Sequence, residues 1–234
     1  MNPPPFPATL SAVWPWLRRH PVFPVIMVCA GSSGLSILLL AARKWLTGVS
    51  RLGFLPFNLI LAFLPILFLL LSEDSGRRRN LIAGCALWLL FFPNAPYMLT
   101  DLVHYDRRLG NAAWLDMMAL LAAAWAALIA GMTTLRLMQQ RVARSFSPAT
   151  GHAFVLTVLF LSAGGIYMGR FLRFHSWHAL SKPGEVFGLT AEHFLKPELH
   201  PLTWPFTGAL FALLVCMHYS LQAFTLAIAR AQRE

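Results

Sequence analysis

Ionisable and amide side chains interrupt the apolar stretches of this sequence at a few places. In chain order these residues are Asn58, then Asn94, Tyr97, Asp101 and His104, then Asp116, and finally Arg170, Arg173, His175 and His178. Carboxylates and imidazoles transfer protons, while arginines neutralise phosphate and carboxylate groups. Because such groups are costly in apolar surroundings unless they are paired or functional, these residues are the candidates for a site.

Arg170 and Arg173 favour the binding of an anion. They are three residues apart, so on a helix that continues through both they share one face and form a fork for a phosphate or carboxylate group. A lipid headgroup or a lipid-linked phosphate is a ligand that such a fork would suit. A structural alternative stays open, in which these arginines pair with Asp101 and Asp116 in a buried ion network.

Acid–base catalysis would fall to the carboxylates and to a histidine. Asp101 or Asp116 is the candidate base, and His104, His175 or His178 is the candidate acid, base or metal ligand. The sequence lacks the nucleophile elbow, the Walker A loop, the dinucleotide-binding glycine motif and paired C-x-x-C. Whether the protein catalyses a reaction is therefore left open by the sequence.

His175 and His178 raise the alternative of a divalent metal. Their spacing of three residues places two imidazoles on one helical face, which suits a metal such as zinc. The pattern lacks the general base of H-E-x-x-H, and histidines also occur in the hydrated rim of membrane proteins, which is the other interpretation. The sequence indicates no further cofactor.

The amino-acid composition is that of a membrane protein. Of 234 residues, 57% are hydrophobic and 12% are charged, against about 45–50% and about 25% in soluble domains. These values exclude a soluble globular domain, a disulfide-stapled secreted module and a disordered chain. The net charge of +10 indicates membrane topology and contact with anionic lipid rather than a nucleic-acid partner.

Six apolar segments are long enough to cross a bilayer as α-helices. A hydrocarbon core about 30 Å thick needs about 20 residues that rise about 1.5 Å each. The segments are Val22 to Ala42, Phe54 to Ser72, Leu81 to Leu99, Ala113 to Leu135, Gly151 to Gly169 and Thr203 to Ala229. Pro93, Asn94 and Pro96 interrupt the third, so the predicted fold class is an all-α membrane bundle of six helices with a kinked or broken third helix.

The segments divide the chain into three parts. Residues 1–21 form a Pro-rich cytoplasmic segment, residues 22–229 the six-helix domain and residues 230–234 a cytoplasmic tail. With both termini inside, the inner segments hold ten Lys and Arg residues and the short outer loops five, as the positive-inside rule expects. The long outer loop, about 170–202, includes a predicted interfacial helix from Glu185 to Leu195.

The order of the helices predicts that the polar residues lie on one side of the membrane. Consecutive helices alternate in direction, so the start of an even-numbered helix and the end of an odd-numbered helix share a side. Asn58 and Asp116 begin even-numbered helices, whereas Asn94 and Arg170 lie near the ends of odd-numbered ones. We therefore expect one polar pocket under the fifth loop, whose ligand-binding residues are Asn58, Asn94, Tyr97, Arg170, Arg173 and the capping Trp177.

The last apolar segment carries a polar stripe. His218, Gln222 and Thr225 fall on nearly the same helical face. Residues of this kind commonly join transmembrane helices by hydrogen bonds, and we expect that role here.

Four strings in the chain resemble a known family. They are NLILAFLP from Asn58, LWLLFFPNAPYMLTDLVH from Leu87, WLD from Trp114 and GIYMGRFLRFHSW from Gly165, and they are similar to the DUF1361 family. The resemblance implies a multi-pass integral protein of the bacterial inner membrane and supplies no reaction. Where the family pattern resembles N-S-W-D, this chain has His175, Ser176, Trp177 and His178, which weakens any role carried over to His178.

Three classes of function are compatible with these observations. The first is an extracytoplasmic polar pocket that binds an anionic, lipid-derived or phosphate-bearing ligand, as in a membrane-embedded hydrolase or transferase. The second is a small transporter built on the broken third helix, because several transporters bind their substrates at such breaks. The third is a membrane assembly or scaffold protein without catalysis.

Overall fold

The structure is a computed structural model that describes residues 10–73, 78–106, 110, 112–174 and 178–232. Over these residues the chain is helical and forms no strand, which confirms the predicted all-α class. The helices are α1 Leu10–Arg19, α2 Phe23–Thr47, α3 Leu55–Glu73, α4 Arg78–Phe91, α5 Asn94–Tyr97, a 3₁₀ helix Thr100–His104, α6 Ala113–Ser145, α7 Pro148–Leu172, α8 His178–Ser181, α9 Pro183–Leu195 and α10 Thr203–Ala231.

The long apolar helices make this a multi-pass membrane protein. Within the described residues, five stretches are long and apolar enough to span a bilayer: α2, the broken stretch Ile82–His104, α6, α7 and α10. The second predicted segment is also helical, but the apolar part of α3, Leu55–Leu71, is shorter than the other five. The count of six spans therefore stays a prediction.

Several helices continue beyond the apolar segments that predict them. The helix α2 runs five residues past Ala42 to Thr47, where Gly48 adopts a left-handed conformation (φ 70°) and donates its N–H to the Lys44 carbonyl. Glycine tolerates this helix-ending conformation because it has no Cβ.

At the start of α7, the Ser147 hydroxyl accepts from the Thr150 N–H at 3.1 Å and caps the helix.

The chain forms two compact units, Met1–Thr134 and Leu135–Glu234, with the boundary inside α6. In the first unit, hydroxyl groups of α2 bond to backbone carbonyls of α6. Ser32 Oγ donates to the Ala122 carbonyl and Ser36 Oγ to the Ala119 carbonyl, each at 2.8 Å. Alanines on α6 leave the carbonyls accessible to these short side chains, so the two helices approach closely.

The core of the first unit also holds the broken helix. α3 packs against α4 and α5, and Leu55 and Ala62 are fully buried in the same cluster as Ala95. On α6, a Cβ added to Gly131 would lie 2.8 Å from the Ala95 Cβ, so glycine is required for this approach. The short helix α5 is therefore wedged between α3 and α6.

The second unit places the fifth-loop helix against α7 and α10. α9 begins two residues before the predicted start at Glu185 and ends at the predicted Leu195. The Phe194 ring lies 3.2 Å from a Cβ added to Gly164, and the Phe194 carbonyl accepts from Trp204 Nε1 at 3.1 Å. α9 is thus packed onto the ends of two long helices, as its aromatic residues require.

Candidate functional site

The third apolar segment is broken, as its prolines predict. α4 ends at Phe91, and two short helices follow it: α5 and the 3₁₀ helix Thr100–His104. The Asn94 side-chain amide donates to the Phe91 carbonyl at 2.9 Å, while the Ala95 N–H donates to the Phe92 carbonyl. The Asn94 amide therefore replaces the backbone hydrogen bond that the Phe91 carbonyl loses at the break.

Asp101 lies in the 3₁₀ helix that follows the break. Asp101 is 1% exposed, and its Oδ2 accepts a hydrogen bond from the Asn58 side-chain amide at 2.9 Å. Asn58 belongs to the first turn of α3. The structure thus brings together two residues that are 43 positions apart and that the order of the helices predicts on one side.

His104 adds an imidazole to this pair. Its Nδ1 lies 3.1 Å from the Asp101 carbonyl oxygen and 3.8 Å from Asp101 Oδ1. Both atoms are acceptors, which favours the proton on Nδ1 and leaves Nε2 as the basic nitrogen of a neutral ring. The His104 side chain is 40% exposed, whereas that of Asp101 is 1% exposed.

The neighbouring side chains hold His104 at the edge of the unit. The His104 ring lies 4.8 Å from the Phe54 ring, centroid to centroid. Arg51 and Asp106, both about half exposed, approach to 3.9 Å, a separation at which an exposed pair contributes little. Asn58, Asp101 and His104 therefore form a polar cluster with one face toward the surface, which we call the helix-break cluster.

Tyr97 lies in α5 beside this cluster and is partly buried. Its carbonyl accepts from the Thr100 hydroxyl at 2.7 Å, which helps to turn the chain from α5 into the 3₁₀ helix. The predicted role of the Tyr97 side chain in ligand binding is untested and stays a prediction.

Asp116 pairs with an arginine that sequence reasoning assigned to a loop. Arg43 Nε donates to Asp116 Oδ2 at 3.0 Å, and the two side chains are 7% and 6% exposed. Arg43 follows the predicted end of the first apolar segment, but α2 continues to Thr47 and carries it into the core. A buried carboxylate held by a buried guanidinium is suited to joining α2 and α6 rather than to proton transfer.

The arginines of the second unit lie at the end of α7. Arg170 is partly buried within the last turn. Arg173 is exposed and follows the helix in the left-handed region (φ 58°), with its N–H bonded to the Met168 carbonyl. The shared face required one helix through both residues, and that condition is not met, because the chain leaves helical geometry at Arg173.

Of the two histidines considered for a metal site, the structure describes only His178. His178 begins the short helix α8, and its ring lies 5.8 Å from that of Phe174. His175 and Trp177 lie outside the described residues. No group of three His, Cys, Asp or Glu side chains in the described ranges could hold a metal ion. A metal at His175 and His178 stays the untested alternative that the sequence raises beside the hydrated rim.

A polar group beneath α9 was missed by sequence reasoning. Tyr167 Oη lies 3.1 Å from His193 Nδ1 and accepts from the Thr203 hydroxyl at 2.9 Å. His193 is 8% exposed, and its ring stacks on that of His200 with the centroids 3.5 Å apart. Burial, and then the nearby His200, lower the pKa of His193, while Glu192 opposes the shift. A histidine in an amphipathic loop helix gave no sign of this burial.

A second polar group in this unit joins the C-terminal parts of α6 and α10. Gln139 Oε1 accepts from Arg136 Nη1 at 3.0 Å and from Gln222 Nε2 at 2.6 Å. His218 Nε2 lies 3.1 Å from the same oxygen. The predicted hydrogen bonding of His218 and Gln222 between helices is confirmed. Gln139 was missed because it lies beyond Leu135, the predicted end of its apolar segment.

Comparison with sequence families now identifies the chain. The sequence model of DUF1361, described as a protein of unknown function, matches residues 57–217. The chain belongs to the DUF1361 family. The match begins at the start of α3 and ends within α10, so the helix-break cluster lies within the DUF1361 region and α1 outside it. Comparisons with curated proteins and with solved structures find no match.

Proposed function

We propose that this protein binds the phosphate-bearing headgroup of a lipid-derived ligand and acts on it as a membrane-embedded hydrolase or transferase. The observation that carries the proposal is the helix-break cluster. A carboxylate that is 1% exposed accepts an amide hydrogen bond and faces a histidine that is 40% exposed. Buried ionisable groups in a membrane protein are costly, and they concentrate at functional sites.

The chemistry of the proposal assigns one role to each member of the cluster. Asp101 orients the His104 ring, while the Asn58 amide holds the Asp101 carboxylate in place. His104 Nε2 takes the proton of the water or alcohol that attacks phosphorus and delivers it to the oxygen that leaves as the P–O bond to the lipid breaks. Asp116 has no part in this chemistry, because its contact with Arg43 gives it a structural role.

Arg170 and Arg173 are the arginines that the sequence predicts for binding a phosphate, because guanidinium groups suit the oxygens of that group. The proposed location is the bacterial cytoplasmic membrane, with both termini in the cytoplasm and the helix-break cluster on the opposite side. The excess of Lys and Arg in the inner segments supports this orientation.

The test uses the full chain, purified in detergent, with phosphatidic acid and phosphatidylcholine as probes. We expect native mass spectrometry to detect bound phosphatidic acid in preference to phosphatidylcholine. We also expect release of inorganic phosphate from phosphatidic acid. His104→Gln should retain the bound lipid and lose about 100-fold or more of the release rate, because general acid–base catalysis typically contributes that much.

Asp106→Asn is the matched control. It removes an acid from the same stretch of chain, but one that is 42% exposed and outside the cluster. Its release rate should stay within about twofold of the wild type. Absence of bound phosphatidic acid, or an unchanged rate in His104→Gln, would contradict the proposal.

A small transporter is the second candidate function, and the broken helix favours it. Irregular backbone at membrane depth occurs where protein or a cavity covers it, and several transporters bind substrate there. Binding of phosphatidic acid without phosphate release, together with its transfer between the leaflets of a proteoliposome, would favour this candidate.

A further inference from the structure

The first helix is amphipathic and lies just before the first membrane span. Sequence reasoning treated residues 1–21 as a Pro-rich segment, but Leu10–Arg19 is helical and includes Pro15. Trp16 is 7% exposed, whereas Trp14 is 49% exposed. Arg18 and Arg19 are also exposed. Trp16 is therefore buried against the protein, while Trp14, Arg18 and Arg19 leave an indole ring and two guanidinium groups exposed.

A short turn fixes α1 at the end of α2. His20 accepts from the Phe23 N–H through its carbonyl at 2.9 Å and from the Val22 N–H through its Nδ1 at 3.2 Å. The Trp14 ring meets the edge of the Phe23 ring at 5.8 Å. These contacts hold α1 beside the first turn of the apolar helix α2.

The exposed groups of α1 match an acidic lipid surface. The Arg18 guanidinium carbon lies 5.1 Å from the centre of the Trp14 ring, so the cation and the indole form one unit. The first acidic residue of the chain is Glu73, so no carboxylate in α1 or the following turn neutralises the two arginines. Tryptophan prefers the membrane interface, and basic residues beside a span attract anionic headgroups.

We propose that α1 lies in the membrane interface and binds the headgroups of acidic phospholipids through Arg18, Arg19 and Trp14. This surface is distinct from the helix-break cluster, and its occupant is the lipid leaflet itself rather than a substrate. It lies outside the residues that match the family, and it does not depend on the function proposed for the cluster.

The experiment follows hydrogen–deuterium exchange of the full chain in lipid nanodiscs. One set of discs contains phosphatidylcholine alone, and the other contains phosphatidylcholine mixed with phosphatidylglycerol. We expect exchange of the α1 amides to slow by roughly 5-fold per arginine in the acidic discs. The peptide that covers α9 should exchange alike in both sets.

The variant Arg18→Gln/Arg19→Gln should abolish the difference between the two lipids. The matched control is Arg144→Gln/Arg230→Gln, which removes the same charge from exposed positions on other helices and should retain the difference. In the wild-type protein, high salt should also remove it, because salt screens exposed charges. Equal α1 exchange in the two lipids, or a difference that persists in high salt, would overturn the proposal.

Discussion

Breaking the buried ion pair between α2 and α6 should be among the most destabilising single changes in the first unit. Arg43→Ala leaves the Asp116 carboxylate, which is 4% exposed, without the guanidinium that lies 3.0 Å from it. Removing one partner of a buried pair typically costs about 3–5 kcal/mol of unfolding free energy. We expect that loss for Arg43→Ala, and a similar loss for Asp116→Ala.

A control and a double variant separate charge pairing from loss of packing. Lys182→Ala removes the partner of Glu185, in a pair that approaches to 3.3 Å with side chains 62% and 50% exposed. It should cost about 0–1 kcal/mol, because such exposed pairs are screened by solvent. The double variant Arg43→Met/Asp116→Leu should be much more stable than either alanine variant, since an apolar pair carries no uncompensated charge.

The measurement is the reversible unfolding of each variant in mixed micelles. The fraction of denaturing detergent is increased stepwise, and circular dichroism monitors the loss of helix. A loss below about 1 kcal/mol in Arg43→Ala would refute the buried-pair argument. So would alanine variants whose effects simply add in the double alanine mutant, because residues that interact are not additive.

Two further predictions concern the pH dependence of α9 and the topology. Because the pKa of His193 is lowered in the folded protein, α9 should be fully docked above the ordinary histidine pKa of about 6.5 and lose protection from amide exchange as the pH falls below it. His193→Gln should flatten this profile, and an unchanged profile would contradict it. Single cysteines at Ser50 and Ser181 should react with an impermeant thiol reagent from outside, and one at Ser147 should not; the opposite pattern would reverse the orientation.

Much of the fold was determined by local properties of the sequence. Runs of about 20 apolar residues predict spanning helices because each backbone polar group must be paired within the membrane. Pro93 and Pro96 predict the break because proline lacks an N–H and obstructs the preceding turn. The order of the helices also predicts that Asn58 and Asp101 lie on one side of the membrane, since alternating helix directions limit which polar residues can share a side.

The tertiary structure alone decided which polar residues become partners. Arg43 and Gln139 follow the predicted ends of apolar segments, yet their helices continue to Thr47 and Ser145 and carry both side chains into the core. Hydropathy marks where a helix is surrounded by lipid, whereas the hydrogen bonds of its backbone continue until a cap ends them. Which neighbour a side chain then faces depends on the rotation and packing of whole helices. That choice is set by many close contacts at once, and no local pattern encodes it.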